Sequence, residues 1–244
     1  MRLYRVDDEV RVAVSRTLRD WRKAGLLSSE QEQQLAPDLK TDLRRTGLML
    51  RLGLALFTVI AGFAAIGLVF LVSDMRSEVA VSIAAAVLGV AACGAAVVAA
   101  RDGRFYRHGV EEALAVGGIG LFGFAAGLLA TKVFRTSSGS EAWLFGMAAV
   151  ALASLWAYRR FGFQYAAVGA VCAAALLPIG FNTIGVETKR AFAALVCAGA
   201  WAYASAERRR AQDDIAQADA EIVRAASAAG AYLALNIHIL TEPF

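Results

Sequence analysis

Leu52 to Val72 reads LGLALFTVIAGFAAIGLVFLV and holds no charged residue. At about 1.5 Å of rise per residue, this run is long enough to cross a hydrocarbon core of roughly 30 Å. Similar runs follow at 79–100, rich in Ala and Val, at 113–131, rich in Gly, and at 142–158, 163–182 and 191–206. The last is short but flanked by Lys189-Arg190 and Glu207-Arg208. A seventh candidate, 225–240, is also short and contains Asn236 and His238. It reads equally as a span, a re-entrant helix or a helix lying on the surface. The fold class is therefore all-α, a polytopic integral membrane helix bundle. A small cytoplasmic helical hairpin over 1–50 precedes six spans over 51–206, and a polar helical extension with the seventh candidate occupies 207–244.

Composition agrees with this reading. Hydrophobic residues make up 58% of the 244 and charged residues 19%, against about 45–50% and 25% in soluble domains. The formal net charge of +4 fits Lys and Arg flanking cytoplasmic helix ends rather than a nucleic-acid surface. One side of the membrane receives Lys40, Arg44, Arg45, Arg51, Arg101, Arg104, Arg107, Arg159, Arg160, Arg208, Arg209 and Arg210, twelve in all. The other receives five, Arg76, Lys132, Arg135, Lys189 and Arg190. The positive-inside rule then places the N-terminus in the cytoplasm. The opening MRLYRVDDEVRV is charged and lacks an early apolar core, so the first span is expected to act as the insertion signal.

In the N-terminal region, Val10, Val14, Leu18 and Trp21 share one face of a helix. Gly25 suits its C-terminal cap, and Leu26 and Leu27 are placed to fold back on it. Ser28 with Gln31, or Ser29 with Glu32, stands at capping-box spacing and starts a second helix, whose main apolar contact is Leu35. Pro37 ends or bends that helix or opens the next. A helix–turn–helix invites a DNA-binding reading, but SSEQEQQL carries Glu30 and Glu32 and no cation, so no nucleic-acid partner is expected. A folding cap or protein-docking module fits better, and Trp21→Ala is expected to release it.

The run LRDWRKAGLLSSEQEQQL, through Leu18, Trp21, Gly25, Leu26, Leu27, Ser28, Glu30, Gln31 and Leu35, resembles the opening of a bacterial family of membrane proteins catalogued as domain of unknown function 2157. The row of spans after it is also similar. The resemblance implies a bacterial inner (plasma) membrane protein with a cytoplasmic N-terminal motif. It supplies no activity, substrate or catalytic residue.

Ionisable residues inside a bilayer are costly and usually mark function, and the six spans as bounded above contain none. No HExxH, P-loop or GxSxG is present, so no catalytic, cofactor or metal site is expected. His108 reads as a solvated or headgroup-facing loop residue, and His238 is the one titratable group of the seventh run. Cys93, Cys172 and Cys197 read as small packing residues. Gly123 and Gly127 form a GxxxG, which serves either homo-oligomerisation or close packing within the chain. Pro178 and Asn182 mark either a broken helix lining a pathway or a helix ending at the interface. The leading functional expectation is a non-enzymatic scaffold, sensor or accessory subunit embedded in the lipid bilayer. The alternative is a transporter or channel for a neutral or lipophilic molecule.

Overall fold

A computed structural model describes residues 3–4, 6–44, 46–72, 77–134, 139–211 and 214–241. Arg45, Arg76 and Arg135 of the charge tally lie outside the described residues, as do the side chains of Ile215 and His238. Nine α-helices and no strand occur among the described residues. They are α1 (Val6–Lys23), α2 (Ser29–Leu35), α3 (Leu48–Val72), α4 (Glu78–Arg101), α5 (Val110–Phe134), α6 (Ser140–Phe161), α7 (Gln164–Leu176), α8 (Val186–Arg210) and α9 (Asp214–Thr241).

Among the described residues, four helical segments are long and apolar enough to cross a membrane: Leu48–Val69, Glu78–Arg101, Val110–Phe134 and Ser140–Phe161. The other expected spans fall short, each for a local reason. Pro178 turns the chain from α7 into a 3-10 segment, Leu177–Gly180, after 13 α-helical residues. The apolar stretches 191–206 and 225–240 lie within α8 and α9, and each reaches only about 24 Å at helical rise. Those two helices pack together as a hairpin. Its open end is fastened by Arg190, which donates to the carbonyl oxygens of Ala234 (3.0 Å) and Leu235. The polar stretch after Arg210 is thus no extension of α8 but the start of a separate helix laid back along it.

Small residues decide which helices approach. Ser82, Ala85, Gly89, Cys93, Ala96 and Ala100 recur at intervals of three and four along the buried side of α4. They meet α5, where a Cβ on Gly118 would lie 2.5 Å from the Cys93 sulfur and 3.0 Å from the Gly89 carbonyl oxygen. The Ser82 hydroxyl donates to the Ala125 carbonyl across the same seam, at 2.7 Å. Another side of α5 meets α6. A Cβ on Gly123 would stand 2.4 Å from Val150 Cγ2, and one on Gly127 would stand 3.0 Å from the Ala142 carbonyl oxygen. The GxxxG therefore seats a helix of the same chain, opposite Gly146.

By contrast, α3 packs chiefly on α5 and has no buried residue in its apolar window. Phe57, Ile60, Phe63 and Leu68 are 58–71% exposed. Such a bulky apolar surface marks contact with lipid. This is a membrane protein.

Candidate functional site

The chemistry-bearing residues gather at one end of the bundle, where the N-terminal region meets the loop between α4 and α5. The cap forms as its turn residues dictate. Gly25 adopts φ 74°, with Leu26 N–H donating to the Trp21 carbonyl (2.9 Å) and Gly25 N–H to that of Arg22 (3.0 Å). This pair of bonds satisfies the last carbonyls of α1. Of the two capping boxes, Ser28 with Gln31 is the one formed, and Pro37 opens a 3-10 turn, Pro37–Leu39. Arg22 and Glu32 tie α1 to α2 at 2.6 Å.

The expected inward stripe of α1 is only partly correct. Leu18 is buried, whereas Val10, Val14 and Trp21 are exposed, Trp21 by 48%. The buried side of α1 instead carries Glu9 and Val12, because it faces Tyr106 and the loop rather than the α2 hairpin alone. Leu26 and Leu35 are likewise exposed. Trp21→Ala is therefore expected to leave the cap docked, contrary to the release expected from the sequence.

Backbone bonds stitch the cap to the spans. Leu3 N–H donates to the Arg160 carbonyl at 2.9 Å, and the Tyr4 hydroxyl donates to that of Phe105 at 2.8 Å. Arg44 N–H donates to the Arg104 carbonyl at 2.9 Å, and Tyr106 N–H donates to that of Arg44 at 3.1 Å. Arg104 also pairs with Asp42. Arg104 and Arg107 hold φ of 54° and 52°, a left-handed conformation that costs an L-residue about 1 kcal/mol or more. The clasp thus includes two strained arginines held by their surroundings.

The loop then enters α5 through Gly109, Glu111 and Glu112. Glu111 is fully buried and accepts from His108 N–H at 2.7 Å. Glu112 receives both arms of the Arg51 fork, Nε to Oε2 at 2.7 Å and the second nitrogen to Oε1. His108 is not a solvated loop residue: its ring stacks on Phe105 at 4.2 Å, and its Nδ1 is buried without a hydrogen-bond partner among the described residues.

A cleft of about 550 Å³ opens beside this clasp, between α1 and the first turn of α3. Arg16, Arg19, Arg51 and Arg107 line it, with Val12, Leu43, Thr46, Gly47, Leu48 and Tyr106. A second, apolar cleft of about 440 Å³ lies on the flank of α4, α5 and α6, lined by Val90, Cys93, Gly94, Val97, Phe122, Ala153 and Trp156.

The sequence-predicted candidates do not converge. Leu18, Trp21, Gly25, Leu26, Leu27, Ser28 and Leu35 build the hairpin, and Gly123 and Gly127 seat α6. Pro178 is buried at the end of α7, where Trp143 Nε1 donates to the Leu176 carbonyl at 2.9 Å, and Asn182 sits exposed in the following turn. Cys93 and Cys197 are buried, Cys172 is exposed, and all three are free thiols. Arg51 entered the sequence reading only in the tally of cations flanking the spans, and Glu111 and Glu112 did not enter it. The missed signal was their charge: opposite signs abutting two apolar runs at the same side of the membrane.

Burial holds the Tyr4 phenol well above its usual value of 10.0, and the nearby Glu111, Tyr106, Glu112 and Glu9 push it further the same way. A raised folded value means stability that is present below pH 10.0 and lost as the pH climbs from there towards that value. Tyr4→Phe should weaken the clasp by about 1 kcal/mol, the worth of one hydrogen bond. It should also remove the Tyr4 phenolate signal from an alkaline absorbance titration. Tyr4 ionising at its ordinary value with the cap still attached would contradict this arrangement.

No family model, curated protein or solved structure matches this chain.

Proposed function

We propose that the protein works without catalysis, as a scaffold, sensor or accessory subunit whose N-terminal cap couples an interaction to the spans. The observation that carries this reading is the clasp. Backbone bonds run from Arg44 of the cap to Arg104 and Tyr106, and that loop leads directly into α5, against which α3, α4 and α6 all pack. Moving the cap therefore moves the entry of the central helix. The same reading places the N-terminus in the cytoplasm of a bacterium. The twelve-to-five distribution of Lys and Arg supports it, as does the resemblance of Leu18 to Leu35 to the family of domain of unknown function 2157. An outward apolar stripe, Val10, Val14 and Trp21, is the surface offered to a protein partner.

Native mass spectrometry of the full chain, extracted in mild detergent, tests the proposal. A stoichiometric protein partner should be retained, lost with Leu18→Asp, which disrupts the hairpin, and weakened by Trp21→Ala, which does not. A retained small molecule with no protein partner would overturn it in favour of transport.

A further inference from the structure

We propose that the cleft between α1 and the first turn of α3 binds a phosphate-bearing anion, with Arg16, Arg19 and Arg107 supplying the charge. The inference does not depend on the cap binding a protein. Among the described residues, four guanidinium groups line a space of about 550 Å³ and no Asp or Glu does. Glu112 compensates Arg51. Arg107 lies over the Tyr106 ring at 5.7 Å, and neither it nor Arg16 nor Arg19 has an ion-pair partner among the described residues. Three like charges held around one opening repel each other unless an anion joins them.

The backbone adds to this. α3 begins at Leu48, and the residue before it, Gly47, has no side chain to cap the free amides of the first turn. Gly47 and Leu48 both line the cleft, so those amides and the positive end of the helix border the same space as the arginines. Arg107 reaches the cleft from a left-handed backbone conformation that the loop maintains against strain.

Phosphate fits this donor set. Guanidinium forks bind phosphate oxygens two at a time, and Thr46 can add a hydroxyl donor. The position also fits, because the uncharged apolar run of α3 starts at Leu52, immediately after Arg51. The cleft thus lies at the level where lipid phosphates border the hydrocarbon core. A lipid headgroup and a soluble phosphate share this chemistry.

The test uses the full chain in neutral detergent with two probes. Native mass spectrometry measures retention of phosphatidic acid against phosphatidylcholine with the same acyl chains. Isothermal titration measures binding of inorganic pyrophosphate. The double variant Arg16→Gln, Arg19→Gln is compared with Arg11→Gln, Lys23→Gln, which removes the same charge from exposed positions of α1 that do not line the cleft. Circular dichroism confirms that both variants retain their helices. Binding should be about tenfold weaker in the first variant, as expected for loss of charge-assisted contacts, and unchanged in the second. Selective phosphatidic acid retention with this pattern identifies a lipid phosphate, and pyrophosphate binding with this pattern identifies a soluble one. Binding of neither probe, or equal weakening in both variants, would overturn the proposal.

Discussion

Replacing Gly109 with Ala should destabilise this protein more than any other single methyl insertion at the clasp, by on the order of 3 kcal/mol. Two effects combine. Gly109 holds φ 103°, a backbone region that L-residues rarely adopt. The added Cβ would also stand 2.2 Å from the Arg51 carbonyl oxygen, 3.1 Å from its carbonyl carbon and 3.3 Å from the Ala55 nitrogen. All three atoms are backbone, so no side chain can rotate away. Either α5 moves off α3 or the turn into α5 unwinds. Both disturb the Arg51–Glu112 pair and the Glu111 bond to His108. Gly117→Ala is the matched control, because that helical glycine has nothing within 4 Å of an added Cβ and should tolerate it. Thermal unfolding of both variants in the same detergent measures the difference. Equal melting of the two would show that the α3–α5 approach is looser than described.

The apolar runs were readable because hydropathy over about twenty residues is a strong signal. The cap was readable because Gly25 and Ser28 have few other uses in that pattern. The clasp was not. Its backbone bonds join Leu3 to Arg160 and Arg44 to Arg104 and Tyr106, and backbone pairing leaves no periodicity in a sequence. The face of α1 was misjudged for a related reason. Val10, Val14 and Trp21 satisfy a helical stripe, yet the docking side carries Glu9 and Val12, a mixed pair that apolar periodicity does not mark. Gly123 and Gly127 show a different limit. The sequence identified a close helix approach but not its partner, and only the position of Gly146 and Val150 assigns it to α6.

Glu112→Gln should loosen α3 while leaving the α4–α5–α6 seam intact. The variant keeps the size of the side chain and removes its charge. Arg51 is then left partly buried without a counter-ion, beside a cleft that already holds three guanidinium groups with no ion-pair partner among the described residues. Breaking one side of a buried ion pair costs about 3–5 kcal/mol, and the low end applies because the Arg51 side chain is 30% exposed and can extend towards the headgroups. Replacing both partners, as Arg51→Met with Glu112→Leu, should be nearly neutral, since an apolar pair restores packing without an orphaned charge. The loss should be local. α3 packs chiefly on α5 and presents the rest of its surface to lipid, so the bidentate bond is its polar fastening to the bundle. Hydrogen exchange should rise at residues 47–55 and 106–113 in Glu112→Gln, with little change along 82–100 or 115–130. Uniform exchange across all helices would mean that the pair holds the whole bundle. No change anywhere, with a melting temperature equal to that of the unmodified chain, would mean that headgroup contacts satisfy Arg51 and the pair contributes nothing.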